Sequence, residues 1–507
     1  MRKGMDGVTY IFMDCDKVQS YVFASVRLRE ICKASLLLDQ IESKLIPDIA
    51  ESNGGEVIRA GGGVVLVEFK DVVKARDFLR KARELYRKHG ISATFLPYNP
   101  NSVNDFYADV LKPIFLKMKE RKDMPEGFAF RYSTLHSVPC ESSGLFPAES
   151  VVRVIEELRR VGYSESMKRL SKLEETEIEK EGLRKKFKLE IPRHFGGIVS
   201  WKKDEEPKEK NIPGTSEGRL LGIVYADVNA LGRLTPTIGK DKAVYNKFCK
   251  GLRSCLEKAI YEALVEVLEN PIKTEKPRGA DALPVRVLYI GGDDLAVAIK
   301  GFYALDFAAK LVELFEEKSK SLMKMESAPD KLTMSAGLVI APYNYPIHNF
   351  NLVGKDLVSR SKRIGKREES LIDICMIKNN AIGGLKEIRA GKEKEIDGRL
   401  LLFGGPYTPE RLRKLQEAAL DLEQKEFPRH KLHQLRELLY LPVNQQQLTS
   451  EYARWLGGLS AENKGHFAEI CCKLSLCVHP LPWESWQGIY RTSIIDIIEF
   501  YDLFVRR

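Results

Sequence analysis

The sequence lacks the features that would place the protein in a membrane or outside the cell. It has no apolar stretch of about 18 residues, the length that a helix needs to cross a bilayer. The N-terminal segment MRKGMDGVTYIFMD contains two acids within its apolar part, which signal peptides do not have. Its nine cysteines show no repeated pairing pattern, as is typical of reduced thiols. We therefore expect a cytoplasmic protein.

The net charge and the length of the chain say less about what the protein binds. The formal net charge of +10 suits nucleotide or RNA binding, but it also suits an ordinary solvated surface rich in Lys and Arg. A chain of 507 residues is too long for one ordinary core, so several domains are expected. Composition alone therefore selects no partner.

One order of elements occurs twice along the chain. The first repeat (residues 7–98) has a strand, a long helical pattern, a hairpin EVIRA-GGG-VVLVEF, a helix and the strand ISATFLPY. The second repeat, from residue 219, follows the same order with the hairpin VRVLYI-GGDD-LAVAI, and then adds a helix and a strand. Two such βαββα units predict an α+β fold with two ferredoxin-like palm domains.

The segments around these repeats complete a four-part organisation. We predict a first palm domain at 1–140, a charge-dense, largely helical region with a linker at 141–218, a second palm domain at 219–395 and a helical domain at 396–507. The last of these contains TPERLRKLQEAALDLEQ, which has a Thr cap and Pro at the first helical position.

Three aspartates of the second repeat are predicted to meet at one edge of its sheet. Asp227 ends the first strand, and Asp293 and Asp294 occupy the hairpin turn of VLYIGGDDLAVAIK. Clustered like charges need a cation, and carboxylate oxygens favour Mg²⁺ or Mn²⁺ with nucleotide phosphates completing the shell. Two such ions are the usual device of nucleotidyl transfer. We therefore predict that these acids bind metal and are catalytic.

Other residues of the second repeat are candidates for nucleotide binding. Gly291 and Gly292 leave room for a nucleotide beside the backbone. Ser335 lies near the sheet edge, and Lys362 and Lys366 follow on a helix, where their charges could bind a triphosphate. The alternatives are an ordinary turn that contains Gly and Asp, and a solvated basic helix face.

The first repeat keeps the hairpin but not its acids. The turn AGGGVVL has three glycines and no acid after them, while Asp14 and Asp16 remain at the end of the first strand. We therefore expect one active centre in the chain, with the first palm domain as a structural or nucleotide-binding partner.

A family resemblance rests on four motifs of the second repeat: ADVNALGRL, YIGGDDLAVAI, LTMSAGLVIAPYNYPI and LVSRSKRIGK. Together they resemble the second palm domain of the Cas10 family, which includes the Cmr2 and Csm1 subunits of type III CRISPR effector complexes. MDCDKVQSYVFASVRLREICKASLLL is similar to the start of the family's first palm domain. The resemblance implies synthesis of cyclic oligoadenylates from ATP, with Asp293 and Asp294 as the GGDD acids and Asp227 as the strand-one ligand. It also implies partner subunits, a guide RNA and activation by target RNA.

Two features depart from the family pattern. The chain starts directly at the first palm domain, and none of its eight histidines is followed by Asp, so we expect no histidine/aspartate nuclease activity. The family's Cys-x-x-Cys-Gly zinc element corresponds to VPCESSGLFPAE, which keeps Cys140 but has Ser143 in place of the second cysteine. Since serine cannot replace a thiolate ligand, we expect no structural zinc.

Three other hypotheses stay open at this point. The protein could be a free-standing Cas10-like cyclase controlled by a small ligand, or a scaffold that binds nucleotide or RNA without turnover. A GGDEF-type diguanylate cyclase shares the palm arrangement, but it would need only one repeat.

Overall fold

In the computed structural model of the protein, the described residues are 8–16, 18–123, 150–154, 159–163, 176, 178–204, 219–323, 329–378, 382–389, 395–396, 400–401, 405–441, 444–476, 481–486 and 489–504. The predicted zinc element around Cys140 and Ser143 lies outside them, as does most of the predicted linker at 202–218. Within these ranges, no helix combines the length and the apolar character that crossing a membrane requires.

The first repeat forms a four-stranded antiparallel sheet. Its strands are β1 (Thr9–Cys15), β2 (Gly55–Gly61), β3 (Val64–Phe69) and β4 (Ala93–Tyr98), in the spatial order β2-β3-β1-β4. In β1, every residue except Asp14 is buried, as suits a strand whose two faces are both covered. This strand order is that of the predicted ferredoxin-like unit.

The helices of the first repeat are mostly where the sequence predicts them. The predicted long helix after β1 is interrupted at residues 23–27, because the Ser25 hydroxyl accepts a hydrogen bond from the backbone N–H of Arg27 at 3.1 Å. Such local bonds compete with helical ones. The helices up to residue 123 are Val18–Val22, Leu28–Gln40, Ile46–Ser52, Val72–Lys88 and Lys112–Asp123, with π-helical segments at Ile41–Leu45 and Tyr107–Leu111.

The region between the repeats contains a hairpin that the sequence analysis does not predict. Strand β5 (Ser150–Val154) pairs antiparallel with β6 (Arg159–Tyr163), where a largely helical region is expected. Valines in both strands favour extended backbone, but runs this short carry little signal among many charged residues. The helical segments that follow are Ile178–Leu183, which is π-helical, Arg184–Phe187 and Phe195–Ser200.

The second repeat forms a five-stranded sheet. Its strands are β7 (Leu220–Val228), β8 (Val285–Ile290), β9 (Asp294–Lys300), β10 (Met334–Pro342) and β11 (Leu371–Met376). The spatial order is β11-β10-β7-β9-β8, so the first four strands repeat the order of the first sheet and β11 adds to it in parallel. The predicted fold class, with two ferredoxin-like units, is confirmed.

Helices cover the second sheet as well. The longest begins after Asp241, whose carboxylate accepts a hydrogen bond from the backbone N–H of Val244 at 2.9 Å and so caps it. The helices of this repeat are Leu231–Ile238, Lys242–Thr274, Gly301–Ser319, Ile347–Ile364 and Leu385–Arg389.

The C-terminal segment is mainly helical, as predicted, and it also contributes to a small sheet. Its first helix is capped by Thr408, which accepts from the backbone N–H of Arg411 at 3.2 Å. The sheet has the order β12-β13-β15-β14, and its strands are too short to leave a periodic pattern in the sequence: β12 (Glu395–Ile396), β13 (Leu400–Leu401), β14 (Glu484–Trp486) and β15 (Ile489–Arg491). The helices are Pro409–Gln424, Arg429–Leu439, Gln445–Gly457, Ala461–Lys473 and Ile494–Phe504.

The helix Lys242–Thr274 of the second repeat packs on the edge strand β2 of the first. The side-chain amide of Asn246 donates to the carbonyl oxygen of Ile58 at 2.7 Å, and Lys242 Nζ lies 2.8 Å from Oε2 of Glu56 on the same strand. Edge strands expose unpaired carbonyl groups, so the helix both satisfies this edge and holds the two repeats together.

Candidate active site

The glycine turns of the two repeats are in contact. A Cβ atom placed on Gly62 would lie only 2.2 Å from the backbone nitrogen of Gly292. Gly61 to Gly63 have φ between 68° and 123°, the region that favours glycine, whereas Gly291 and Gly292 do not have positive φ. The second hairpin needs glycine for lack of space rather than for its φ angle, since a Cβ on Gly291 would lie 2.1 Å from Oδ1 of Asp294.

The three predicted acids lie at one end of the second sheet. Asp227 on β7 stands directly opposite Asp294 on β9 in the antiparallel register. The backbone N–H of Val228 donates to the carbonyl oxygen of Asp293 at 2.9 Å, which joins the strand end to the turn. The structure therefore brings together the strand-one acid and the hairpin acids.

The charge of Asp227 is partly compensated by Lys362. The Nζ atom of Lys362 lies 2.6 Å from Oδ1 of Asp227, and the two side chains are 24 % and 27 % exposed. Burial raises the pKa of Asp227 to about 6 despite Lys362, and the charges of Asp293 and Asp294 add to the rise. Burial therefore outweighs the lysine partner in setting the pKa of this carboxylate.

Asp294 is held by a hydrogen bond from the first repeat rather than by an ion pair. The Nε2 atom of Gln19 donates to Oδ2 of Asp294 at 2.9 Å and to the hydroxyl oxygen of Tyr289 at 2.9 Å. Burial raises the pKa of Asp294, and the neighbouring Tyr289 and Gln19 side chains oppose the rise. Since Gln19 lies on the helix after β1, the first repeat contributes directly to the acid of the second.

The donor set of the site suits a hard divalent cation, although the side chains are not arranged around one. In the part of the chain that the structure describes, no group of three or more His, Cys, Asp or Glu side chains could hold a metal ion. Asp227 and Asp294 nevertheless stand opposite each other, and their carboxylate oxygens are the ligands that Mg²⁺ and Mn²⁺ prefer. The residue types present therefore fit Mg²⁺ or Mn²⁺, and the binding of two such ions stays a prediction.

Ser335 lies beside Asp227 across neighbouring strands of the sheet, but its side chain does not face an open site. It stands opposite Asp227 on β10, is fully buried, and donates its hydroxyl to Oδ1 of Asn229 at 2.8 Å. Asn229 in turn donates to Thr333 Oγ1 at 3.1 Å and to the carbonyl oxygen of Glu369 at 3.2 Å. The nucleotide contact predicted for Ser335 stays a prediction, and its observed bond orients Asn229 instead.

The two predicted lysines differ in position. Lys362 lies in the last turn of the helix Ile347–Ile364 and reaches Asp227. Lys366 follows the end of that helix, with φ of 50° and an exposed side chain, and has no ion pair with the three acids. The structure therefore brings only Lys362 to the carboxylates.

The first repeat contains a near copy of this network. Lys122 Nζ lies 2.8 Å from Oδ2 of Asp14, as Lys362 lies beside Asp227. The Thr94 hydroxyl donates to Asp16 at 3.1 Å, as that of Ser335 donates to Asn229. Asp14 and Thr94 match Asp227 and Ser335 in strand position, and each lysine lies on a helix that follows the fourth strand of its repeat.

One position decides the difference between the two copies. Val64 stands opposite Asp14, whereas Asp294 stands opposite Asp227. The first repeat thus lacks the facing carboxylate, and Lys122 lies against both Asp14 and Asp16, at 2.8 and 3.5 Å. This arrangement supports the prediction of a single active centre.

Three residues of the site are absent from the sequence-based candidates. Tyr289 and Asn229 lie within the quoted motifs. Tyr289 precedes Gly291 by two residues, and Asn229 directly follows β7, the strand that carries Asp227, so strand periodicity could have pointed to them. Gln19 is 275 residues from Asp294 in the chain, and nothing in its local sequence indicates the contact.

Comparisons with known proteins agree with these observations. Residues 220–370 match the family model for Cas10/Cmr2, second palm domain, while no curated protein matches the sequence. Csm1 of T. onnurineus has a similar structure with a TM-score of 0.57 at 15 % identity, over 99 % of this chain and 70 % of Csm1.

Two Csm1-Csm4 structures are also similar. A Csm1-Csm4 cassette in complex with cA4 has a TM-score of 0.53 at 14 % identity, over 92 % of this chain and 70 % of that one. The Csm1-Csm4 subcomplex in the type III-A CRISPR-Csm interference complex gives 0.54 at 14 % identity, with the same coverage. Identities this low show the fold alone. The family match at residues 220–370 confirms the predicted resemblance of the second repeat to the second palm domain of the Cas10 family.

Proposed function

We propose that the protein is a metal-dependent nucleotidyltransferase that makes cyclic oligoadenylates from ATP at the second-repeat site. One observation carries the proposal: Asp227 faces Asp294 across the glycine turn of a Cas10/Cmr2 second palm domain. The presence of cA4 in a structurally similar Csm1-Csm4 cassette supports this class of product.

The residues of the site have separate roles in this proposal. Asp227 and Asp294, with Asp293 beside them, would hold Mg²⁺ or Mn²⁺, which when bound supplies charge stabilisation for the entering and leaving oxygens at a phosphate. Lys362 leaves Asp227 and binds a phosphate of ATP through a charge-assisted hydrogen bond. Gly291 and Gly292 keep side chains away from the turn, so that a nucleotide can approach the backbone.

We further propose that the protein acts as the large subunit of a type III CRISPR complex with guide and target RNA. Two of the similar Csm1 chains occur with Csm4, one of them in a type III-A CRISPR-Csm interference complex, which supports such partners. Co-purification of a short RNA with partner subunits would support this assembly. Isolation of an active protein without RNA or partners would favour a free-standing cyclase.

The activity can be tested with purified protein and labelled ATP or GTP. We expect a cyclic adenylate product in the presence of Mg²⁺ or Mn²⁺, identified by mass spectrometry, and more of it when guide and target RNA are present. A D293A/D294A variant should make none. Absence of product under every condition, or product unaffected by this double substitution, would refute the proposed activity.

A further inference from the structure

We propose that Gln19 of the first repeat is a positioning residue for the second-repeat acid Asp294. Its Nε2 atom donates to Oδ2 of Asp294 at 2.9 Å and to the hydroxyl oxygen of Tyr289 at 2.9 Å. Tyr289 is buried and lies on β8, the strand that leads into the hairpin of Asp294. The amide of Gln19 therefore joins the first repeat to two side chains of the second.

The geometry fixes which oxygen of Asp294 faces which neighbour. Oδ2 is bonded to Gln19, while Oδ1 lies over Gly291, where a Cβ atom would be only 2.1 Å away. Loss of the Gln19 bond would free the carboxylate to rotate, because Gly291 has no side chain to stop it. Gln19 thus restricts Asp294 to one orientation.

The amide of Gln19 has no competing role in the described structure. Its Oε1 atom is buried and has no hydrogen-bond partner among the described residues, so its polar contacts are the two made by Nε2. Turning the amide over would direct Oε1 at the carboxylate, which is unfavourable because both are acceptors. The side chain is therefore oriented by Asp294 and Tyr289.

The repeat offers an internal comparison. Gln19 follows Asp16 by three residues, and Gly232 follows the matching Asn229 by three. A Cβ atom on Gly232 would meet nothing within 4 Å. The second repeat therefore has no side-chain amide at the position that matches Gln19.

The inference rests on the proposed function for the role of Asp294, but it can be tested without turnover. The full-length Gln19→Leu variant keeps the approximate size of the side chain and removes the donor. We expect its affinity for Mn²⁺ alone, measured by titration at fixed pH, to fall about tenfold, as suits loss of a hydrogen bond to a charged group. Gln19→His, which retains a donor, should recover part of this loss.

The matched control is Asn246→Leu. Asn246 is also an amide between the repeats, but it bonds only to the carbonyl oxygens of Val57 and Ile58. If Gln19 merely joined the repeats, both leucine variants would change Mn²⁺ affinity alike. We expect the Asn246 variant to stay within about twofold of the unchanged protein, since the interaction it loses is remote from the acids.

Turnover gives a second and separable measurement. In Gln19→Leu, the metal concentration for half-maximal rate should rise about tenfold while KM for ATP stays unchanged, because the lost bond orients a metal ligand. Unchanged Mn²⁺ affinity in Gln19→Leu would overturn the inference, even if ATP is converted. Weakened Mn²⁺ binding in Gln19→Leu, together with no product from ATP even in the unchanged protein, would uphold the inference and refute the proposed function.

Discussion

Gly62 of the first repeat and Gly292 of the second pack backbone against backbone. A Cβ on Gly62 would lie 2.2 Å from the nitrogen and 2.4 Å from the Cα of Gly292. The hairpin that carries Asp293 and Asp294 is therefore built against the hairpin of the other repeat, so the position of these acids depends on both.

Gly62→Ala should separate the two hairpins. The φ of 68° is unfavourable for alanine, and the added methyl group would overlap the backbone of Gly292. Together these effects should lower the free energy of unfolding by about 3 kcal/mol. Urea denaturation measures the loss, and product formation from ATP should fall with it.

Gly232→Ala is the control for that substitution. Gly232 lies in the helix Leu231–Ile238 with nothing within 4 Å of a new Cβ atom. Because alanine favours helices, this variant should gain up to about 1 kcal/mol. Equal stabilities for the two alanine variants would contradict the tight contact between the hairpins.

Glu42 should make the stability of the first repeat depend on pH. It is buried, accepts a hydrogen bond from the backbone N–H of Gly63 at 2.8 Å and from the Cys15 thiol at 3.2 Å, and burial raises its pKa to about 7. Asp39 raises this pKa further, whereas Arg253 lowers it. The folded protein therefore retains the proton to higher pH than the unfolded chain does.

The sign of the effect follows from that difference. The contribution of Glu42 is complete below its unfolded pKa of 4.5 and is lost as pH rises through about 7. Glu42→Gln does not titrate, so its free energy of unfolding relative to the unchanged protein should increase by up to about 3 kcal/mol between pH 4.5 and 8. Urea denaturation of both proteins at several pH values measures it, and a constant difference would count against a buried, protonated Glu42.

Lys362 and Lys366 should contribute unequally to ATP binding. Lys362 already lies at Asp227, whereas Lys366 is exposed beyond the end of the helix. We expect Lys362→Ala to raise KM for ATP about tenfold, the value of one charge-assisted hydrogen bond, and Lys366→Ala to raise it less than about threefold. Steady-state kinetics decides between them, and an unchanged KM in Lys362→Ala would remove that lysine from the proposed site.

The sequence allows the acids of the site to be predicted because the relevant pattern is local. One hydrophobic strand ends at Asp227 and a hairpin turns at GGDD, so both positions are predicted to lie at an end of the sheet. The repeated order of elements predicts which strands are neighbours. The structure adds the register in which Asp227 faces Asp294.

The remaining parts of the site depend on contacts between distant segments. Gln19 reaches Asp294 only because the two repeats pack against each other. Such packing between repeats does not produce a periodic pattern of residues in the sequence. The burial of Ser335 and its bond to Asn229 likewise depend on how β7 and β10 are covered. Short features, such as the helix interruption at Ser25, are set by single hydrogen bonds that propensity does not reveal.

The most direct test of the single active centre compares two matching aspartates. Asp227 and Asp14 hold the same position in the two repeats, and each has a lysine partner. In assays of product formation from ATP, Asp227→Asn should lower the rate at least about 100-fold, whereas Asp14→Asn should stay within about tenfold of the unchanged protein. Equal losses in the two variants, or full activity in Asp227→Asn, would contradict catalysis at the second repeat alone.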